Sequence, residues 1–390
     1  MDQTFPAGIS LESLQRDEPL RRRLFPVVAR EIFLGHAGVS PLPQPAVEAI
    51  IHEARNAASM HQEIDFRTRI DRARNAAAKL FGVLPTEVAL IGPTTLGLGM
   101  IANGLAWRPG DEVVYYPDDY PANVYPWRSI EKFGVKAIPL RPDRVGEITP
   151  ELVAGAVTRR CRLVALASAH FLSGDAIDVT AIGKIAHDAG ALFCLDGIQT
   201  LGAVATPLAE VDFAAADSHK WMLGPLAAGV LIVKEKAQEV LRPSIVGADN
   251  IRSPHFIASE VMEPVGGAGR YEAGVHNMLG IVGMTASLEL IASIGIPAIE
   301  GHIAGLRRTA VTTLREKGFE FLSRNAETSR SGIITFRKPD AGMKRMFARL
   351  ADGHVTASLR WTRDGTEWIR FSPHFYIKTD EILRAIDMLS

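Results

Sequence analysis

The sequence predicts an α/β protein, with a large domain built on a mostly parallel mixed sheet and a smaller α+β domain. Three observations predict it. Short, almost wholly apolar runs alternate with helical patterns through the middle of the chain, as expected for strands covered by helices on both faces. After about residue 280 the pattern changes: long helical stretches precede isolated strands. The length, 390 residues, is enough for a large core and usually for more than one domain.

The elements follow in order. Val88–Gly92 reads as a strand and Thr94–Leu105 as a helix. Glu112–Tyr116 is strand-like, Val124–Phe133 helical, and Val135–Leu140 strand-like again. A helix near Pro150–Val157 precedes the apolar run Leu163–Ala167, and Val179–Asp188 looks helical. The run from Ala191 ends at Asp196, a shorter one spans Val211–Ala216, and Gly229–Val233 closes the series. These runs are β-branched and apolar, and short enough for strands. Helical stretches at 280–295 and 299–317, strands near 333–336 and 368–371, and a helix over Asp380–Leu389 form the second unit.

Composition excludes several classes. With 47% hydrophobic and 22% charged residues and a net charge of −1, the chain has no basic footprint for nucleic acid. Arg21-Arg22-Arg23 reads as the solvated face of an N-terminal helix. Two cysteines exclude a disulfide framework. No apolar run reaches the roughly 18 residues of a membrane span. Met1 to Pro6 has neither a basic start nor an apolar signal core, so a cytoplasmic location is expected.

The chemistry gathers at two places. An apolar strand delivers Asp196 to its C-terminal end, and Lys220 follows a second apolar segment, just before a Gly-Pro turn. Ligand chemistry in α/β sheets sits at such strand ends. Pyridoxal 5'-phosphate needs this pair: a lysine amine to form a Schiff base, and an acid to keep the pyridine nitrogen protonated. Taken alone, Asp196 could also be a helix N-cap. Gly92-Pro93-Thr94-Thr95-Leu96-Gly97 follows a strand and opens a helix, a setting that attracts phosphate, with Thr94 and Thr95 as hydroxyl donors or as ordinary caps.

Asp196-Gly197-Ile198-Gln199 followed by His219-Lys220-Trp221-Met222-Leu223-Gly224-Pro225 resembles the class V aminotransferase superfamily of fold type I pyridoxal-phosphate enzymes. That group includes cysteine desulfurases, selenocysteine lyase, kynureninase and isopenicillin N epimerase. The resemblance runs from about Leu34 to the C-terminus. It implies a large domain over 31–279, a small domain formed by 1–30 and 280–390, and a homodimer with shared active sites.

The resemblance also implies roles for further residues. Gln199 matches a contact to the cofactor's phenolic oxygen. Ser218 and His219 are candidates for phosphate contact, although the family's serine commonly stands one position earlier, where this chain has Asp217. Asp119-Tyr120-Pro121-Ala122-Asn123 aligns with a stretch whose histidine stacks on the cofactor. Direct registration puts Pro121 there, and Tyr120 is the nearer chemical substitute. Asn123 joins the substrate-binding candidates. His170 is either an acid–base group or a satisfied loop histidine. Val275 replaces the threonine that reaches a neighbouring subunit's phosphate, leaving Asn277 or His276 as substitutes. Arg370 matches the arginine that binds a substrate carboxylate, and Arg360 is either a second such group or a surface residue.

No cysteine follows Cys194, so the nucleophilic thiol of persulfide-forming desulfurases is absent from the C-terminal region. The expectation is a cysteine desulfurase-like C–S lyase without a persulfide cysteine. An aminotransferase or amino-acid epimerase is the alternative, and a non-catalytic relative is the third reading.

Overall fold

The structure is a computed structural model and describes residues 8–389; the segment Met1–Pro6 lies outside the described residues. The short strand β1 (Ile32–Phe33) precedes the main sheet. That sheet holds β2 (Val88–Ile91), β3 (Glu112–Tyr115), β4 (Lys136–Pro139), β5 (Cys161–Ala167), β6 (Leu192–Asp196), β7 (Phe213–Asp217) and β8 (Gly229–Val233). Its order is β2-β8-β7-β6-β5-β3-β4. Strands β3 to β7 pair in parallel, whereas β8 runs antiparallel to both β7 and β2. The reversal has a local cause. The connection from β7 to β8 contains no helix, and a short turn can join only antiparallel neighbours.

Both faces of the sheet are buried. Along β5, Val164 and Leu166 enter one apolar cluster and Leu163 and Ala165 the opposite one, the period-2 alternation of a strand. Helices such as Val179–Asp188 and Thr94–Gly104 supply the covering surfaces. The stretch 124–133 is not one helix: Tyr125–Ser129 gives way to a 3-10 turn over Ile130–Phe133, ended by Gly134 in the left-handed conformation.

The C-terminal region adds β9 (Glu320–Phe321), β10 (Ile334–Arg337), β11 (Val355–Thr356), β12 (Ser358–Trp361) and β13 (Glu367–Phe371). Four of these form an antiparallel sheet, β12-β13-β10-β9, and β11 pairs in parallel with β1. The N-terminal helices share one core with this region: Leu14, Leu24 and Phe25 cluster with Ile299, Val311, Phe371 and Ile386.

The arginine run is not uniformly solvated. Arg21 is 3% exposed. It lies one helical turn before buried Leu24, so it faces inward. Its charge is matched by Glu381 at 2.9 Å and Glu18 at 3.0 Å. Both cysteines are free and buried. Among the described residues no single helix is long and apolar enough to cross a membrane. The most apolar one, Met278–Ile294, buries Ile281, Met284, Leu288 and Ile291 within the protein.

Candidate active site

Lys220 sits in the turn between β7 and β8. Strands β6 and β7 are apolar up to their last residues, Asp196 and Asp217, and both ends open on one edge of the sheet. Ser218 N–H donates to Ala228 O at 2.9 Å and Gly224 N–H to Ser218 O at 2.8 Å, which closes the turn. Only glycine fits at 224, because a Cβ there would lie 2.2 Å from Ser218 Oγ.

Two distant segments hold the lysine's backbone. Ser40 N–H donates to His219 O at 2.7 Å and Ser40 Oγ to Lys220 O at 2.6 Å. The segment 34–40 is held in turn by Ser372: Ser372 N–H donates to Leu34 O, and Ser372 Oγ accepts from Ala37 N–H. His374 Nε2 lies 3.0 Å from Trp221 O. The Trp221 indole N–H donates to Gln199 Oε1 at 2.9 Å. Its ring lies so close to Gly332 that a Cβ there would fall 2.0 Å from it.

The electrostatics suit amine chemistry. Lys220 is 7% exposed. Burial lowers its pKa to about 8; Asp196 opposes the shift, and Arg370 and Arg360 add to it. Burial pushes Asp196 up to about 6, against its hydrogen bond from Ile198 N–H and the attraction of Lys220. The site therefore holds a lysine that releases its proton near neutral pH beside a buried acid. The Tyr120 ring is half exposed, and its centroid lies 5.3 Å from Lys220 Nζ.

A second buried acid, Asp119, was not singled out from the sequence. Its carboxylate accepts from Tyr120 N–H at 2.7 Å and from Asn123 Nδ2 at 3.0 Å. Burial, and then Asp196, push it up to about 7. The available signal was its place in the loop after β3, a neighbour of β5 in the same parallel array.

The helix Thr94–Gly104 starts beside the end of β7, because Thr94 Oγ1 accepts from Asp217 N–H at 2.9 Å. Thr94 is thereby engaged in the interior, while Thr95 is exposed at the helix start. His219 Nδ1 lies 3.0 Å from Asp217 Oδ2. Lys220, Asp196, Tyr120, Thr95 and His219 thus border one region that could hold a pyridine ring with a phosphate arm. Among the described residues no group of His, Cys, Asp and Glu could hold a metal ion.

Other expected site residues have different engagements. Asn123 is 1% exposed: one end of its amide meets Asp119 and the other accepts from Trp127 Nε1, so it braces the loop. Ser218 is fully buried and its hydroxyl donates to Pro225 O. Asn277 caps the helix Met278–Ile294 by accepting from Gly280 N–H. Gln199 bridges Trp221 and Ala37 O. His170 is buried, with Nδ1 accepting from Ser173 N–H and Nε2 placed on Asp118 O. Burial lowers its pKa to about 4, and both ring nitrogens have partners within the protein.

Arg370 lies on β13 and is 1% exposed. Its Nη1 donates to Phe171 O, its Nη2 reaches Ser358 Oγ at 3.5 Å, and its buried Nε has no partner. Burial, then the neighbouring Arg360, lower its pKa to about 9.

The model of the family described as Aminotransferase class-V matches residues 32–384. A probable cysteine desulfurase of Methanothermobacter thermautotrophicus is 30% identical over 305 residues, 75% of this chain and 74% of the relative. The apo structure of a cysteine desulfurase from Thermococcus onnurineus NA1 superposes with a TM-score of 0.85 at 22% identity, covering 95% of this chain and 96% of that one. The cystine C–S lyase C-DES, solved with its reaction product cysteine persulfide, gives a TM-score of 0.84 at 21% identity, covering 94% and 98%.

Proposed function

Because the chain belongs to the aminotransferase class-V family, whose members are pyridoxal-phosphate enzymes, we propose that it cleaves a C–S bond in an α-amino acid without a persulfide cysteine. The observation that carries this reading is Lys220: a buried amine of lowered basicity, with Asp196 beside it and the Tyr120 ring 5.3 Å away.

Bound there, pyridoxal phosphate supplies an aldehyde for amine capture and an electron-accepting ring. Lys220 Nζ would hold it through the aldehyde. Asp196 holds the proton on the pyridine nitrogen, and Tyr120 offers an aromatic face. Thr95, His219 and the N–H groups that open the helix Thr94–Gly104 would receive the phosphate. Buried and unpaired, Arg370 Nε has a free donor for the substrate carboxylate. Lys220 Nζ, whose basicity burial lowers, would be the base that takes the substrate's α-proton.

The cysteines support the reaction class. Burial raises Cys161 to about 11 and Cys194 well above the ordinary thiol range, so neither offers a thiolate. We also propose a homodimer, supported by the apolar side chains exposed at Leu226, Val261, Met262 and Val275. The division into a domain over 31–279 and a second from 1–30 and 280–390 is part of the same reading, supported by the core that joins the chain's two ends.

The test is a panel of amino acids given to purified, cofactor-loaded enzyme. Keto acid with ammonia and sulfide is expected from a cysteine-type substrate. Keto acid without ammonia would establish transamination, and the opposite enantiomer epimerisation; either overturns the lyase. The Lys220→Ala variant should lose its borohydride-reducible visible chromophore, and an unchanged one would overturn the role of Lys220.

A further inference from the structure

Two buried acids flank the end of β5, and the chemistry described so far uses only one. Asp196 ends β6, and its register partner on β5 is Ala167. Asp119 follows β3, which pairs with β5 on the opposite side. The Ala167 N–H acts on the Asp119 carboxylate and favours its charge. A single strand end therefore stands between the two acids. Asp119 is 8% exposed and Asp196 3%.

The groups that hold Asp119 are neutral: the Tyr120 N–H at 2.7 Å and Asn123 Nδ2 at 3.0 Å. A serine or asparagine would close such a turn equally well, without a buried charge. Burial, and then Asp196, raise the pKa of Asp119, so the two carboxylates repel each other. Like charges buried together are costly unless a proton or a cation comes between them. A protonated pyridine nitrogen at Asp196 supplies that positive charge. The loop that carries Asp119 also borders the region of the ring, since Tyr120 follows it and its ring centroid lies 5.3 Å from Lys220 Nζ.

We infer that Asp119 is a positioning residue for the cofactor's proton: its carboxylate stands behind Asp196 and adds a second negative charge that keeps the pyridine nitrogen protonated. This rests on the proposed place of the pyridine nitrogen at Asp196, and not on which bond of the substrate is cleaved. Asp119 acts through Asp196. Repulsion between the two carboxylates raises the affinity of Asp196 for a positive partner, and the N–H of a protonated ring is that partner. The proton stays on the nitrogen, and no bond is made or broken by Asp119.

The experiment reads binding and needs no turnover. The full-length, cofactor-free protein is titrated at pH 8 with pyridoxal phosphate and with its 1-deaza analogue, in which a C–H group replaces the pyridine nitrogen. The readout is the ratio of the two dissociation constants. Wild type should prefer pyridoxal phosphate, and Asp196→Asn should remove most of that preference. Asp119→Asn should cut it about tenfold, with the affinity for the deaza analogue unchanged. Asp119→Glu, which keeps the charge, should retain more of the preference than Asp119→Asn. Asp119→Gln serves as the neutral variant if Asp119→Asn does not fold. An equal loss for both ligands would make Asp119 only a brace for the Tyr120 loop, and an unchanged ratio would show that its charge is not felt at the ring. Either result overturns the inference and leaves Asp196 in its role. A wild type without preference, or an Asp196→Asn variant that keeps it, would overturn the place of the pyridine nitrogen and the inference with it.

Discussion

The Trp221 indole N–H donates to Gln199 Oε1 at 2.9 Å, so the residue after Lys220 is tied to the loop that follows Asp196. The two halves of the proposed chemistry are thus joined through their neighbours. Gln199 is 2% exposed and Trp221 1%, so the bond has no water to replace it.

Gln199→Leu should strand the indole N–H and lower the stability of the cofactor-free protein by about 1–3 kcal/mol. Urea unfolding followed by tryptophan fluorescence measures this. An unchanged midpoint would show that the bond contributes nothing.

Asp196→Asn should separate stability from turnover. Burial raises the acid's folded pKa to about 6, above the ordinary aspartate value of 3.8. Its folded form therefore favours the proton. Wild type loses stability as pH rises from about 4 to about 6, and the deficit persists above that. The cofactor-free variant has no such charge to bury. It should be more stable than wild type by about 1–3 kcal/mol at pH 8 and should lose that advantage below about pH 4. Turnover of the loaded enzyme should fall by about a hundredfold or more, because an amide no longer holds the pyridine proton. Unfolding midpoints at pH 4 and 8, with kcat at pH 8, test both halves; a variant as active as wild type would remove Asp196 from the chemistry.

Arg21→Met should destabilise the protein by about 3–5 kcal/mol, since it leaves the nearly buried Glu381 without its cation. Replacing Arg22, whose side chain is 57% exposed, should change stability by less than about 1 kcal/mol. Denaturant midpoints of the two variants side by side decide it. Equal effects would mean that the Arg21 pair is not structurally distinct.

The parts of this molecule legible in the sequence are those decided by local pattern. An apolar run ended by an acid announces Asp196, and a second run followed by a Gly-Pro turn announces Lys220. Residues whose engagement depends on distant partners were not legible. Arg21 looks solvated until Glu381 arrives from the far end of the chain. Thr94 looks like an exposed residue at a helix start until the Asp217 N–H, 123 residues on, donates to its hydroxyl oxygen. Asn277 and Ser218 are polar residues near the cofactor motifs, and only the folded backbone shows that one caps a helix and the other closes a turn. The antiparallel place of β8 beside β2 is likewise a long-range pairing, which periodicity does not encode.

The dependence of the Lys220 turn on Ser40 and Ser372 has a consequence for biosynthesis. Proteins leave the ribosome N-terminus first, so Ser40 and Lys220 are both exposed to the cell before Ser372 has been translated. Until then the segment 34–40 lacks its anchor, and the strand that carries Arg370 does not exist. In a nascent or prematurely terminated polypeptide the Lys220 turn therefore lacks the support that Ser372 lends through Ser40.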